Sequence, residues 1–203
     1  MIGILNAGLG NIKSVQNSLN YLSIQNEIIE NLDGFEKKFS RLILPGVGSF
    51  NSAMSDEKIG KFVNRINDIK SKNFPILGIC LGSQILCNIG YEGGKINGLG
   101  FINGDVEKIK TDERIPHIGW NNINIIKKHH IFENVTSGFC AYFVHSYRMN
   151  IYSIEQCFGT TLYGESFPSV VINKNVIGMQ FHPEKSQKNG LKLLKNFSEF
   201  NAS

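Results

Sequence analysis

Leu77-Gly78-Ile79-Cys80-Leu81-Gly82-Ser83 sets a cysteine between two glycines directly after an apolar run, and its reading decides the fold. Phe74 to Ile79 reads as a short buried strand, and Gly82 to Leu86 as the first turn of a helix, so Cys80 falls on a tight strand-to-helix turn. The flanking glycines let the backbone bend sharply there and approach a substrate closely. The adjoining helix N-terminus favours thiolate over thiol. A free cysteine in an apolar strand is ordinarily inert core, but the Gly-x-Cys-x-Gly frame displays it as a nucleophile.

A free thiol is ionised only to a few per cent at neutral pH, so reactivity needs a base. One lies far downstream in Phe181-His182-Pro183-Glu184-Lys185-Ser186. Positions two apart in extended chain point to one side, and Pro183 biases His182 toward that geometry. Glu184 can then bond one ring nitrogen of His182 and turn the other toward Cys80. The expected triad is Cys80, His182, Glu184.

Working outward, Ile2 to Leu5 reads as a first strand. Ala7-Gly8-Leu9-Gly10 follows, and Asn11 is the expected cap of a helix carrying Ile12, Val15, Leu19 and Leu22 on one face. The third glycine of a dinucleotide-binding frame is missing, so no cofactor is expected at that loop. Gln25 to Glu30 and Arg41 to Leu44 read as strands, and Ile59, Phe62, Val63, Ile66 and Ile69 as a long amphipathic helix. The order β-α-β-β-α-β-nucleophile-α predicts an α/β fold: an open, mostly parallel central sheet with helices on both faces and sites at the carboxyl ends of its strands. Leu99 to Tyr163 has short segments of antiparallel character. Val170 to Ile172 and Val176 to Gly178 flank a hairpin turn, the second strand running on to Phe181. Leu191, Leu194 and Phe197 are expected to face inward on a last helix.

A length of 203 residues with 41% hydrophobic content fits one globular domain, 1–203, with a full core. The four cysteines, at 80, 87, 140 and 157, form no Cys-x-x-Cys pair, which argues against structural zinc and against a disulfide framework, and for a reducing, cytoplasmic setting. No metal is expected. Neither a signal-peptide core at Met1 to Leu5 nor a membrane-spanning run is read. The net charge of +4 is too small and too scattered for nucleic-acid binding, its densest patch, Lys127 to His130, reading as a solvated loop.

Gly78-Ile79-Cys80-Leu81-Gly82-Ser83-Gln84 together with Phe181-His182-Pro183-Glu184 resembles the signature of the class I, or triad, glutamine amidotransferases, whose fold is flavodoxin-like. Residues 7–11, 44–50, 116–121, 142–147 and 184–186 narrow the resemblance to one branch, the glutaminase subunits of imidazole glycerol phosphate synthase. The match covers nearly the whole chain. It implies hydrolysis of L-glutamine through a Cys80 thioester, no cofactor, and an oxyanion hole from the backbone of Leu81 with Val47 or Gly48. It places Gly48, Gln84, His145, Ser146 and Tyr147 near the glutamine. For His117 and Trp120 the residues alone favour packing, while the resemblance puts residues 116–121, Asn121 among them, on or near a surface that docks a (β/α)8-barrel cyclase receiving the ammonia.

Two positions depart from that branch: Ser83 stands where methionine is common, and Gln187 where glycine is. A paralogous branch that feeds ammonia to a sugar-modifying amidotransferase resembles the Ser-Gln-Lys-Asn-Gly version, and it stands as an alternative. A cysteine peptidase would use the same nucleophile logic, against which Gln84 and the His-Pro-Glu frame argue. A silent binding module would have lost a triad residue, and none is lost.

Overall fold

The computed structural model describes residues 1–55 and 57–201. The chain opens β1 (Ile2–Leu5), α1 (Ile12–Tyr21), β2 (Asn26–Ile29), α2 (Phe35–Lys38), β3 (Arg41–Gly46), α3 (Phe50–Ala53), α4 (Val63–Ser71), β4 (Ile76–Cys80) and α5 (Leu81–Gln84). Short strands β5 (Ile89–Gly90) and β6 (Ile96–Asn97) lead to β7 (Gly104–Lys108), β8 (His117–Ile125), β9 (Phe139–His145) and β10 (Tyr147–Ile151). β11 (Cys157–Tyr163), β12 (Glu165–Asn173), β13 (Val176–Met179) and α6 (Gln187–Glu199) complete it.

One nine-stranded sheet runs β2-β1-β3-β4-β13-β12-β11-β8-β9. Its first five strands pair in parallel, and from β12 onward every pairing is antiparallel. The antiparallel strands lie where the sequence suggested them, and most of them extend the central sheet. A second, separately hydrogen-bonded sheet, β10-β7-β5-β6, touches it where Arg148 of β10 pairs with Glu165 of β12 at 2.9 Å.

The parallel strands read as apolar runs because both their faces are covered. Ile2 and Ile4, Ile43, Leu77 and Ile79, and Ile177 and Met179 join a core with Val15 and Leu19 of α1 and Leu193, Leu194 and Phe197 of α6. Leu5, Leu42, Leu44, Ile76 and Val176 turn to the other face, against Phe35, Ile66, Ile69 and Leu81. On α6 the inward residue is Leu193, and Leu191 is only half buried. Phe101 and Ile102 are buried but lie outside any strand. In the Lys127 to His130 patch, Lys127 pairs with Glu155 at 3.0 Å and half-buried His129 accepts from the Ile131 N–H.

Candidate active site

β3, β4 and β13 are neighbours, with Gly46 opposite Cys80 and Met179 opposite Ile79. Their carboxyl ends thus bring the loop at 45–48, the Cys80 turn and the segment 181–184 to one edge of the sheet. Cys80 itself carries the bend, with φ 54 and ψ −111, a conformation that costs a side-chain-bearing residue about 1–3 kcal/mol. The flanking glycines act differently from expectation. Neither has positive φ; a Cβ on Gly78 would strike the Gly82 carbonyl, and one on Gly82 the Leu44 carbonyl. They let α5 lie directly on the backbone of β3 and β4. α5 is a single turn, so the helix-dipole help expected for the thiol is correspondingly small.

A cavity of about 260 Å³ opens at this edge, somewhat below the usual size of a drug-like pocket and suited to an amino acid. Val47, Gly48, Cys80, Leu81 and Gln84 line one side, and Glu92, Pro116, Val144, His145, Ser146 and Tyr147 the rest. Every expected oxyanion and glutamine-binding position thus borders one space. Glu92 was not foreseen. It follows β5, and its Oε2 accepts the Phe50 N–H at 2.8 Å, fixing a carboxylate at the cavity wall.

The His182 and Glu184 side chains are buried, and His182 Nδ1 bonds Glu184 Oε1 at 2.7 Å. Burial opposes a charged His182, but nearby Cys80 and the bonded Glu184 outweigh it and raise the group from 6.5 to about 10. At neutral pH it is an imidazolium whose Nδ1–H donates to Glu184. His182 Nε2 has no hydrogen-bond partner among the described residues, and the Cys80 thiol is directed at the Val144 carbonyl at 3.9 Å. Cys80 is nonetheless close enough to His182 to be among the groups that raise it. Ser186 anchors the pair by donating to the His182 carbonyl at 2.6 Å and accepting from the Tyr142 N–H at 3.0 Å.

Other expected residues are placed with definite limits on what they can do. The Val47 N–H donates to the Leu9 carbonyl at 2.9 Å, so in this state it cannot also serve an oxyanion. Gln84 Nε2 donates to the Tyr147 carbonyl at 2.7 Å and to Gln180 Oε1 at 3.1 Å, leaving the Gln84 oxygen to meet a ligand. His145 has both ring nitrogens engaged, Nδ1 with the Tyr147 carbonyl at 2.8 Å and Nε2 with His117 Nδ1 at 3.1 Å. Burial lowers His145 to about 3 and His117 to about 4, so both are neutral. The surface position that the resemblance implies for His117 does not hold, whereas the packing that its residues favour does: it is buried, stacked between Phe143 and Tyr163. Trp120 is 47% exposed and Ile118 60%. Asn121 is half buried and bonds His117 Nε2 and the Leu162 carbonyl.

Asn11 is not the cap expected of it. It is left-handed, with φ 56, and makes no side-chain capping bond; its amide donates to Glu184 Oε1. Nothing local in the sequence signals a partner 173 residues away. Among the described residues no group of three or more His, Cys, Asp or Glu is arranged to hold a metal, and no helix is long and apolar enough to cross a membrane.

Residues 4–199 match the family pattern of "Glutamine amidotransferase class-I". The chain is 44% identical to "Imidazole glycerol phosphate synthase subunit HisH" of Methanocaldococcus jannaschii, over 98% of this chain and 99% of that protein. It is 41% identical to the protein of the same name from Caldanaerobacter subterraneus, over 98% of each. A solved structure of PurLQS from Thermotoga maritima superposes with a TM-score of 0.75 at 17% identity, covering 97% of this chain and 96% of that one, a likeness of fold. With the Cys80 turn, a buried His–Glu pair and an amino-acid-sized cavity on a matching fold, the chain belongs to the class-I glutamine amidotransferase family.

Proposed function

We propose that the chain, working as one glutaminase domain, hydrolyses L-glutamine to glutamate and ammonia and delivers the ammonia to a (β/α)8-barrel cyclase that makes imidazole glycerol phosphate. The observation that carries this reading is Cys80, held on a strained turn at the wall of a small cavity beside a protonated, carboxylate-oriented His182. The Cys80 thiolate adds to the amide carbon, and the oxyanion is met by the Leu81 N–H, a donor that a helix start leaves free. His182 Nε2–H protonates the departing ammonia, then takes a proton from the water that cleaves the thioester. Glu184 keeps the ring oriented through both steps.

The two relatives at 44% and 41% identity carry the name of a synthase subunit, which favours the histidine pathway over the sugar-modifying alternative. The departures at Ser83 and Gln187 are local matters. Ser83 donates to the Cys80 carbonyl at 2.6 Å, and Gln187 begins α6 with φ 50, a conformation glycine adopts at no cost. Neither lines the cavity. Exposed Trp120 and half-buried Asn121 are the proposed docking positions, with His117 supporting them from beneath.

The test is glutamate release by the chain mixed with each candidate barrel subunit, the parent beside Cys80→Ser. A hydroxyl is hardly ionised, so the serine variant should lose activity by at least about a thousandfold while still binding its partner. Substantial turnover by a folded Cys80→Ser chain would overturn the assignment.

A further inference from the structure

We propose that Asn11 is a positioning residue of the catalytic unit, its side-chain amide holding the Glu184 carboxylate in the orientation that serves His182. This rests on the glutaminase reading above. Asn11 stands where α1 would gain most from a capping side chain, and gives it none. Its Nδ2 donates instead to Glu184 Oε1, the same oxygen that accepts His182 Nδ1–H. α1 lies along this segment, with Ser18 Oγ 3.4 Å from the Glu184 carbonyl, so the reach needs no loop movement.

The case for a function lies in what the carboxylate lacks. The Glu184 side chain is 0% exposed, and its Oε2 has no partner among the described residues. A carboxylate gripped at one oxygen by one donor can swing about its terminal torsion, which is broad and roughly two-fold. A second donor converging on Oε1 stops that swing. Asn11 Nδ2 also lies 3.4 Å from His182 Nδ1. Both nitrogens carry hydrogen, so this contact is not itself a hydrogen bond; the two donors converge on Glu184 Oε1 from adjoining positions. An amide suits the task because it is neutral. A lysine or arginine would neutralise the negative charge that keeps His182 protonated, whereas an amide grips the carboxylate and leaves its field intact.

The test uses the full chain with two replacements that accept the left-handed backbone. Asn11→Asp keeps the shape and turns the donor into an acceptor; Asn11→Gly removes the side chain at φ 56 without strain. Both should lower kcat for glutamine by about tenfold or more with KM within about twofold, the pattern of a group that acts only in the transition state. Both should also shift or broaden the low-field proton resonance of His182 Nδ1–H, assigned by its absence in His182→Gln. Folded variants with kcat within about twofold of the parent and an unmoved resonance would overturn the proposal. So would a loss carried wholly by KM, which would make Asn11 a glutamine contact. If the parent failed to hydrolyse glutamine with any partner, the glutaminase reading would fall, while the resonance would still decide whether Asn11 positions the pair.

Discussion

The Val47 N–H and the Leu9 carbonyl are bonded at 2.9 Å, which ties the loop after β3 to the loop after β1 and withholds one donor from the cavity. Gly48, next in the chain with φ 110 and nothing within reach of a Cβ, is a site where the peptide can turn without steric cost. The isolated chain should therefore hydrolyse glutamine slowly. Docking of the barrel partner with its acceptor bound should raise kcat by at least about tenfold, equivalent to ~1.4 kcal/mol of barrier, as donors are completed on binding. Steady-state rates with and without the partner check this, and a fast chain indifferent to every partner would be a free-standing glutaminase.

His182 and Glu184 should be unequal in mutation. His182→Ala should cost as much as losing Cys80, whereas Glu184→Gln should cost less, since the ring does the proton transfer and the carboxylate orients it. Comparing kcat/KM of the two variants decides the matter. A larger loss from Glu184→Gln would mean the roles are assigned wrongly.

Glu92 is the one carboxylate lining the cavity among the described residues, and it suits the α-ammonium group of an amino acid. Glu92→Gln should raise KM for glutamine by about tenfold, ~1.4 kcal/mol, with kcat within about twofold. A fall in kcat at constant KM would place Glu92 elsewhere in the reaction.

The raised His182 also bears on stability. Its value in the folded chain, about 10, lies above the ordinary 6.5, so its contribution is complete below pH 6.5 and is lost as pH climbs through 10. The groups that raise it are Cys80 and Glu184, while nearby His145 is neutral, burial lowering it to about 3. Denaturant midpoints measured from pH 6.5 to 10 should fall more steeply for the parent than for His182→Gln. Parallel curves would show that the proton is not held as described.

The meeting of Cys80, His182 and Glu184 at one edge and the parallel half of the sheet were legible because each is written locally. A Gly-x-Cys-x-Gly frame, a His-Pro-Glu frame and apolar runs need only a few neighbouring residues to be recognised. Asn11 was misread because capping chemistry and carboxylate-holding chemistry call for the same side chain, and the choice is made by a partner remote in sequence. For His117 the residues alone favoured packing, and it is packed, between Phe143 and Tyr163; only the surface position that the resemblance implied fails, because a docking segment can bury one residue while exposing its neighbours. That most of the antiparallel strands join the central sheet was not legible, since short alternating segments do not state which sheet they join.

Cys80 and the strand leading to His182 sit in the middle of a continuous ladder, whereas Val47 and Asn11 belong to loops outside it. Amide exchange at Ile79 and Met179 should thus require opening of the whole sheet, while the loops exchange through small local fluctuations. The bond-making atoms are then set as durably as the fold itself. Adjustment by a partner falls to two short segments that can shift without unzipping a strand.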